Sequence, residues 1–439
     1  TENHIALVLK DHNGRSLEKE GDCHFEDYRL GRNDIKNLVY RLLSEYTGMV
    51  LPWGTLTGIR PTKLPMEMYE SGASRADAIH YLKDTYLVSD EKASLCAIVA
   101  ENEAKVLKDV DYDHTFSLYV GIPFCPSICA YCSFSSYPLS VWEKQVDNYL
   151  DALCKEIEVA STMMGNKKLL TFYMGGGTPT TLSAEQLDRL CSVLEDEFDL
   201  SAVREYTVEA GRPDTISADK LSVLRAHGVD RVSVNPQTMS DRVLELIGRR
   251  HTASDIERAL QLVREVGGFD VNMDLIAGLP GDSAEGFRDT VEKVLALGTE
   301  NITVHTLSLK KGSRITLEEV PIPGADEVAA MLDFAGERLS AAGYSPYYLY
   351  RQKFMSGGFE NVGWAKDGRV NLYNICIMEE LCSIIAMGGG GSTKLIRPDD
   401  GRNIRIMAPK YPLEYINSIG TTCTEKAKIL GFYNDFYNK

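Results

Sequence analysis

Residues 121–134 read GIPFCPSICAYCSF and contain three cysteines, Cys125, Cys129 and Cys132, at the spacing C-x3-C-x2-C. Closely spaced thiolates on one loop are typical ligands of an iron–sulfur cluster. Three of them can hold three irons of a 4Fe–4S cube and leave the fourth iron open, as a catalytic metal site requires. A zinc knuckle would need a fourth cysteine or histidine nearby, but phenylalanine and serines follow. The spacing therefore favours a 4Fe–4S cluster over a zinc knuckle or three unrelated buried cysteines.

The composition of the chain is that of a globular protein, with 44% hydrophobic and 25% charged residues among 439. Its length predicts two or three domains. The net charge of -16 argues against a nucleic-acid-binding protein, whose binding face is basic. No apolar run is long enough to span a membrane, and residues 1–10 lack the pattern of a signal peptide. The cysteines outside the motif show no paired spacing, which indicates reduced thiols, and we expect a cytoplasmic protein.

Strand and helix patterns alternate from residue 115 to residue 309. The predicted strands are residues 116–123, 169–174, 205–209, 231–235, 271–276 and 302–309. The predicted helices are residues 141–163, 184–197, 218–226, 253–266 and 284–297. Such alternation implies parallel strands joined by right-handed crossovers. The sequence therefore predicts an α/β protein built on an open, partial (β/α)6 barrel, with its functional residues at the carboxyl ends of the strands.

Three domains are predicted: a small α/β domain at 1–112, the barrel at 113–322 and a mixed α+β lid domain at 323–439. In the first domain, residues 4–10 are predicted as a strand, 34–46 as a helix and 66–95 as further helical pieces. Between them, the stretch WGTLTGIRPTK at residues 53–63 carries Arg60 and Lys63. These cations either are solvated at a helix start or face a ligand or the second domain, and the pattern alone favours the first.

Polar residues follow four of the predicted barrel strands. The loop TFYMGGGTPT at 171–180 lets a ligand approach the backbone closely, and it lacks the Gly-Lys-Ser/Thr of a phosphate-binding P-loop. Glu209 ends the next strand, Gln237 follows the fourth, and Asp274 interrupts an apolar strand, where a charge is costly unless it is paired. Each alone is equally well a turn, a solvated carboxylate or a salt bridge. Together they predict a ligand-binding edge.

In order, the motifs GIPFC-x3-C-x-YCSF, GGGTPT, VEA, NPQTM-x7-IGRRH and NMDLIAGLPG resemble one family of radical S-adenosylmethionine (SAM) proteins. This family is the oxygen-independent coproporphyrinogen III oxidase (dehydrogenase) family, in the type found in anaerobic Firmicutes. The resemblance continues through YYLYRQK at 347–353, FENVGW at 359–364 and residues 373–394, and it includes GIRPTK near the amino end.

The resemblance implies a 4Fe–4S cluster held by the three cysteines and SAM bound at its open iron. By motif, Tyr119 and Gly176 would lie beside this SAM and Glu209 would bind its polar groups, so Tyr119 and Glu209 are the predicted catalytic residues. A further set of positions matches those that would hold a second SAM: Tyr131, Gly177, Thr178, Gln237, Arg249 and Asp274. The chain is thus expected to bind one or two SAM molecules.

The implied reaction is oxidative decarboxylation of a tetrapyrrole. The reduced cluster would cleave SAM, and the resulting 5′-deoxyadenosyl radical would take a hydrogen atom from the β-carbon of a propionate. Loss of CO2 and one electron leaves a vinyl group, and two such events convert coproporphyrinogen III to protoporphyrinogen IX. We expect a flavodoxin- or ferredoxin-like electron donor and a monomer. Arg60 and Arg351 are candidates for binding the substrate carboxylates, although aromatic neighbours of Arg351 are as typical of a core.

Two departures leave other functions open. Phe134 stands where oxidases of the family often carry a fourth cysteine, and the related haem-chaperone branch also has an aromatic there. Glu360 stands where that branch has the histidine of a His-Asn-x-x-Tyr-Trp motif, so the imidazole that would ligate haem is lost. The alternatives are a haem-trafficking protein that keeps the cluster and a radical SAM enzyme that modifies or degrades haem. The run MGGGGSTK at 387–394 either approaches substrate or SAM or is a tight crossover.

Overall fold

The computed structural model describes residues 3–108, 110–112 and 114–437, and begins with a hairpin and four helices. β1 (His4–Lys10) pairs antiparallel with β2 (Ser16–Asp22). The helices are α1 (Tyr28–Thr47), α2 (Lys63–Glu70), α3 (Arg75–Tyr86) and α4 (Asp90–Leu107). The predicted strand at 4–10 is confirmed. The helix predicted at 34–46 begins earlier, because Asp27 accepts hydrogen bonds from the first turn and caps it.

The remaining elements alternate through the rest of the chain. The strands are β3 (Thr115–Ile122), β4 (Phe124–Cys125), β5 (Tyr137–Pro138), β6 (Lys168–Gly176), β7 (Glu205–Glu209), β8 (Arg231–Ser233), β9 (Asp270–Ala277), β10 (Asn301–Thr306), β11 (Ser345–Tyr350), β12 (Asn361–Ala365), β13 (Ser383–Met387), β14 (Ser392–Ile396) and β15 (Asn403–Met407). The helices are α5 (Leu139–Trp142), α6 (Val146–Ser161), α7 (Ala184–Glu197), α8 (Ala218–Ala226), α9 (Asp241–Leu246), α10 (Ala253–Val266), α11 (Ala284–Leu297), α12 (Arg314–Leu317), α13 (Ala325–Ala341), α14 (Leu372–Glu379), α15 (Pro412–Asn417) and α16 (Ile419–Phe436).

One sheet of eleven strands organises the molecule, in the order β11-β12-β10-β9-β8-β7-β6-β3-β13-β14-β15. The six neighbours from β10 to β3 run parallel to one another and are the six predicted strands. Over the described ranges, the end strands β11 and β15 do not pair with each other, so the sheet stays open. The prediction of an open, partial (β/α)6 barrel is confirmed.

The helices between these strands follow the sequence signals closely. α7, α8, α10 and α11 begin and end where the sequence predicts them. Capping boxes at Ser183 and Thr252 fix the starts of α7 and α10. The single helix predicted at 141–163 is instead divided into α5, a 3-10 turn at Glu143–Gln145, and α6.

The carboxyl-terminal residues extend the barrel sheet at both edges. β12 pairs antiparallel with β10 and carries β11, whereas β13 pairs in parallel with β3 and carries β14 and β15. Strands on both sides of the predicted boundary at 322/323 therefore belong to one continuous sheet.

The amino-terminal part packs on the barrel, because Trp53 and Leu82 belong to the same hydrophobic cluster as the β3 residues Leu118 and Val120. All four side chains are buried. None of the helices in the described part of the chain is both long and apolar enough for a membrane span.

Candidate active site

The cysteine loop, residues 125–132, leaves the carboxyl end of β3 through β4. Later segments of the chain hold this loop at three points. Ala130 N donates a hydrogen bond to Ile247 O at 2.9 Å, and Ile315 N donates to Ala130 O at 3.1 Å. The Arg212 guanidinium donates to Ser127 O at 3.2 Å. The loop is therefore shaped by contacts that the local sequence does not contain.

The three thiols lie close together, with Cys129 buried and Cys125 and Cys132 half-buried. Burial raises the pKa of Cys125 to about 11 and also raises the pKa of Cys132, and the three thiols act on one another electrostatically. Hydroxyls of Thr178 and Ser136 lie 3.5 and 3.7 Å from the sulfurs of Cys125 and Cys132. The raised pKa values of Cys125 and Cys132 favour the protonated thiols. A bound metal reverses this preference, because a thiol that coordinates a metal is deprotonated.

The donor set fits a 4Fe–4S cluster with three protein ligands. Among the described residues, no three His, Cys, Asp or Glu side chains converge as the ligands of a single ion do. A cube does not require such convergence, because each thiolate binds a different iron. Arg212 is 3% exposed, and its Nη1 lies 3.9 Å from Cys129 Sγ, where a guanidinium stabilises the charge of a thiolate.

The glycine-rich loop packs directly on the start of the cysteine loop. Gly177 N donates to Ile122 O at 2.7 Å, and Thr178 N donates to Phe124 O at 2.8 Å. A side chain at Gly177 would overlap the backbone at Phe124, with its Cβ 2.6 Å from the carbonyl oxygen. Gly176 has a φ of 113°, which other residues rarely adopt. Glycine is thus needed here for the approach of two chain segments.

A stack of tyrosines lies beside Glu209. Tyr119 and Tyr173 occupy paired positions on β3 and β6, with their rings 6.2 Å apart and nearly parallel. Tyr373 of α14 also stacks on the Tyr173 ring, with the ring centroids 4.5 Å apart. The Tyr173 hydroxyl donates to Glu209 Oε1 at 2.6 Å. Two predicted residues, Tyr119 and Glu209, are therefore brought together by two tyrosines that the sequence did not single out.

Glu209 retains its proton to an unusually high pH. Burial raises the pKa of its carboxyl group to about 7, and the charge of Asp274 adds to this shift. Hydrogen bonds from Tyr173 and from the backbone of Gly176 act in the opposite direction. A carboxyl group with this pKa changes its charge within the physiological range, so a cationic ligand beside it would bind to the ionised form.

A cavity of about 190 Å³ opens next to the cysteine loop. It is lined by Tyr131, Cys132, Phe134, Gln237, Asp274 and His305, with further residues of the segments 306–310 and 350–361. Gln237 has a φ of 66°, and its buried Oε1 has no partner among the described residues. A strained residue with an unpaired acceptor is typical of a binding site.

Asp274 lies on the wall of this cavity. Its Oδ1 accepts a hydrogen bond from Asn272 at 2.8 Å and lies 3.7 Å from His305 Nε2. Burial by itself would raise the pKa of Asp274, but the interactions with His305 and Asn272 outweigh it and lower that pKa. Asp274 is therefore a paired, ionised carboxylate.

Arg249 is buried between Tyr131 and Cys129. Its Nη1 donates to the carbonyl oxygens of Asn235 and Gly211, the latter at 3.4 Å. Its Nε has no partner within the part of the chain that the structure describes. Of the positions predicted for a second SAM, Tyr131, Gln237 and Asp274 line one cavity, Arg249 neighbours Tyr131, and Gly177 and Thr178 lie beneath the cysteine loop.

Comparison with known proteins places this site in a family. Residues 119–294 match the radical SAM superfamily. The oxygen-independent coproporphyrinogen-III oxidase-like protein HemZ of Bacillus subtilis is 39% identical over 411 residues, which cover 92% of this chain and 82% of that protein. The chain belongs to the radical SAM proteins of the coproporphyrinogen-III oxidase-like type. The predicted family is confirmed, and so are its cofactors, a 4Fe–4S cluster and SAM.

One further relative and one solved structure also resemble this chain. The haem chaperone HemW of Bacillus subtilis is 34% identical over 253 residues, which cover 56% of this chain and 65% of that protein. The coproporphyrinogen III oxidase HemN of Escherichia coli, a radical SAM enzyme, has a TM-score of 0.58 and 23% identity, covering 74% of this chain and 73% of that chain. The latter likeness shows the fold.

The two arginines predicted to bind substrate are held by protein groups in this radical SAM protein. Arg60 pairs with Glu380 at 2.6 Å. Arg351 donates to Leu56 O at 2.6 Å and lies over the ring of Trp53. Neither residue lines the cavity beside the cysteine loop. Their role toward the substrate stays a prediction, and the structure gives both a role in joining distant segments.

Phe134 and Glu360, the two residues that depart from the family pattern, lie in different surroundings. Phe134 lies at the mouth of the cavity with 77% of its surface exposed. Glu360 is 2% exposed, and it accepts hydrogen bonds from Trp53 Nε1 at 2.8 Å and Lys92 Nζ at 2.6 Å. The residue in place of the chaperone's histidine thus binds the amino-terminal part of the chain.

The tetraglycine run packs near the carboxyl end of β3, from which the cysteine loop leaves. Gly388 N donates to Glu156 Oε2 at 2.8 Å, and Gly389 N donates to the Tyr149 hydroxyl at 2.7 Å. That same hydroxyl donates to Gly121 O at 2.6 Å, at the start of the cysteine motif.

Proposed function

We propose that this protein is an enzyme that oxidatively decarboxylates two propionate groups of coproporphyrinogen III and forms protoporphyrinogen IX. The similarity to HemZ over most of both chains supports this substrate. The cavity beside the cysteine loop supports a site where a ligand lies close to the cluster, because Cys132 itself lines it. When bound, the cluster and SAM supply a radical that removes a hydrogen atom from the propionate β-carbon.

The residues of the chain bind and orient the reactants. Glu209, as a carboxylate above its pKa of about 7, accepts hydrogen bonds from polar groups of SAM. Tyr173 donates a hydrogen bond to this carboxyl group and orients it, and the rings of Tyr119 and Tyr373 stack on Tyr173. Gln237 offers an unpaired acceptor to a donor group in the cavity.

The buried Glu360 is the observation that favours an oxidase function over a haem-chaperone function. Its carboxylate is occupied by Trp53 and Lys92, and it offers no imidazole for an iron. Haem ligation through this motif would require both a different residue and a different packing of the amino-terminal part.

A haem-trafficking function remains the second candidate, because one observation favours it. Phe134 has the aromatic character of the chaperone branch at this position, and HemW is a relative over the barrel. An exposed aromatic at the mouth of the cavity suits a flat macrocycle.

The test is an anaerobic assay of the reconstituted protein with SAM, a reductant and coproporphyrinogen III. We expect vinyl-bearing product together with 5′-deoxyadenosine. Tight haem binding without decarboxylation would support the chaperone. Methylated tetrapyrrole, or ring opening of added haem, would support an enzyme that acts on haem.

Three further properties belong to this proposal. The cavity residues Tyr131, Gln237 and Asp274 are proposed to hold a second SAM, and an equilibrium stoichiometry of one SAM per chain would contradict this. We also propose a flavodoxin- or ferredoxin-like electron donor, which cross-linking to the reconstituted protein would detect. A monomer is proposed, and its mass in solution tests it.

A further inference from the structure

A single lysine ammonium lies at the mouth of the cavity without a partner. Lys310 follows β10 and lines the cavity together with His305, Gln237 and Phe134. It is half-buried, and no carboxylate or other acceptor of the described chain pairs with its side chain. A partly desolvated cation without a counterion is costly, and an anionic ligand would offset that cost.

The backbone around Lys310 is fixed on both sides. Leu309 N donates to Phe354 O at 2.9 Å, and Ser356 N donates to Leu307 O at 3.0 Å. The backbone and the hydroxyl of Ser313 both donate to Lys310 O at 3.0 Å. Lys310 thus projects from a segment that is held against the loop after β11, and its position is set by the fold.

The acid in the cavity wall does not neutralise this lysine. Asp274 is the acidic residue among those that line the cavity, and it is already paired with Asn272 and His305. His305 also lines the cavity, but its Nε2 faces Asp274 at 3.7 Å, so Lys310 is the cation of the lining that is left for an anionic ligand. The buried Oε1 of Gln237, which has no partner among the described residues, independently points to a ligand with a donor group.

We propose that Lys310 forms a carboxylate-binding subsite of this cavity. Two ligands of the proposed reaction combine a carboxylate with N–H donors: the tetrapyrrole, through a propionate and its pyrroles, and a second SAM, through its methionyl group. The identity of the tetrapyrrole rests on the proposed function. The subsite itself rests on the position of Lys310, and the role predicted for Arg60 and Arg351 toward the substrate stays a separate prediction.

The test uses the reconstituted protein and coproporphyrin III, the oxidised form of the substrate, which does not turn over. Binding is followed by porphyrin absorbance, with the tetramethyl ester as a probe that lacks carboxylates. The variants are Lys310→Met and Lys310→Arg, and Lys311→Met is the control because Lys311 is the exposed neighbour. Equilibrium dialysis with SAM is run on the same proteins, and circular dichroism checks their folding.

If a propionate is bound, K310M weakens coproporphyrin III binding about tenfold or more, the scale of one charge-assisted hydrogen bond. Binding of the ester stays unchanged, K310R retains most of the affinity, and K311M behaves like the wild type. If the methionyl carboxylate is bound, K310M instead lowers SAM affinity or stoichiometry and leaves the porphyrin unaffected. Either result supports the subsite and identifies its ligand.

Unchanged binding of both ligands in folded K310M overturns the subsite. If the wild type still converted coproporphyrinogen III, the proposed function would be kept and only the subsite would be rejected. Conversely, a wild type without decarboxylation, whose coproporphyrin III binding depends on Lys310, would overturn the proposed function and keep the subsite.

Discussion

The carboxyl group of Glu209 lies under Tyr173, and its pKa is raised to about 7 by burial. In an unfolded chain it ionises near an ordinary value of about 4.3, so between these values the folded state binds more protons. The free energy of unfolding of the SAM-free protein should therefore fall as pH rises through this window, by up to about 3 kcal/mol. Glu209→Gln should remove this part of the slope. Thermal unfolding of the wild type and the variant at pH 5 to 8 measures how the free energy of unfolding depends on pH. The same pH dependence in both proteins would contradict the raised pKa of Glu209.

Cys129 offers the sharpest single-residue test of the cluster. Cys129→Ala removes the thiolate beside Arg212 and should abolish both iron content and visible absorbance of the reconstituted protein, together with turnover. Cys154→Ala is the matched control, because Cys154 is also buried but lies on α6, outside the motif. Retention of iron and turnover by C129A would refute three-cysteine ligation.

Local motifs were enough to select Gln237 and Asp274 as candidate site residues. Gln237 follows β8 and Asp274 lies within the neighbouring parallel strand β9, so the fold brings both to one cavity. Tyr373 and Lys310 could not be found in this way, because their positions depend on packing between distant segments. Arg351 was selected for its chemistry alone, and backbone carbonyls occupy its guanidinium.

At the scale of elements, the loop between β13 and β14 packs through Gly388 on Gly121, near the end of β3 from which the cysteine loop leaves. This residue has a φ of 94°, and a Cβ here would overlap the carbonyl oxygen of Gly121. Gly388→Ala should cost about 1–3 kcal/mol of stability from backbone strain alone and should lower cluster occupancy. Gly389→Ala is the control, because its Cβ would make only an ordinary contact of 3.5 Å with the Tyr149 ring. Iron content and urea unfolding are measured for both variants. Equal iron content and equal stability in the two variants would contradict the role given to Gly388.

Hydrophobic periodicity predicted the barrel elements because each contains its own signal. α7 and α10 have an apolar face and a capping box within a few residues. The edge strands are different, since β13 pairs with β3 across most of the length of the chain. A strand partner so far away leaves no trace in the local pattern, so the sequence does not predict these edge strands, and the lid role of residues 323–439 stays a prediction.

At the scale of the whole molecule, contacts to three carboxylates of the carboxyl-terminal part help to join it to the amino-terminal part. Trp53 and Lys92 bind Glu360, Arg60 binds Glu380, and Thr62 donates to Glu379 at 2.8 Å. The Lys92–Glu360 pair is the buried one, with side-chain exposures of 10% and 2%. Breaking a buried pair leaves an uncompensated charge, whereas an exposed pair contributes little.

Glu360→Leu should therefore destabilise the protein by about 3–5 kcal/mol, because Lys92 is left buried without a counterion and the Trp53 indole loses its acceptor. The double variant Lys92→Met/Glu360→Leu should be less destabilised than Glu360→Leu alone, since neither charge then remains.

Lys63→Met/Glu67→Leu is the control, because this pair is 3.8 Å apart and 56% exposed on both sides, and it should change stability by less than about 1 kcal/mol. Urea unfolding of the singles and doubles gives the coupling energy between Lys92 and Glu360. A coupling near zero would mean that the Lys92–Glu360 pair does not help to join the two parts, which would then be joined by the packing of Trp53 and by the remaining contacts, such as Arg60 with Glu380.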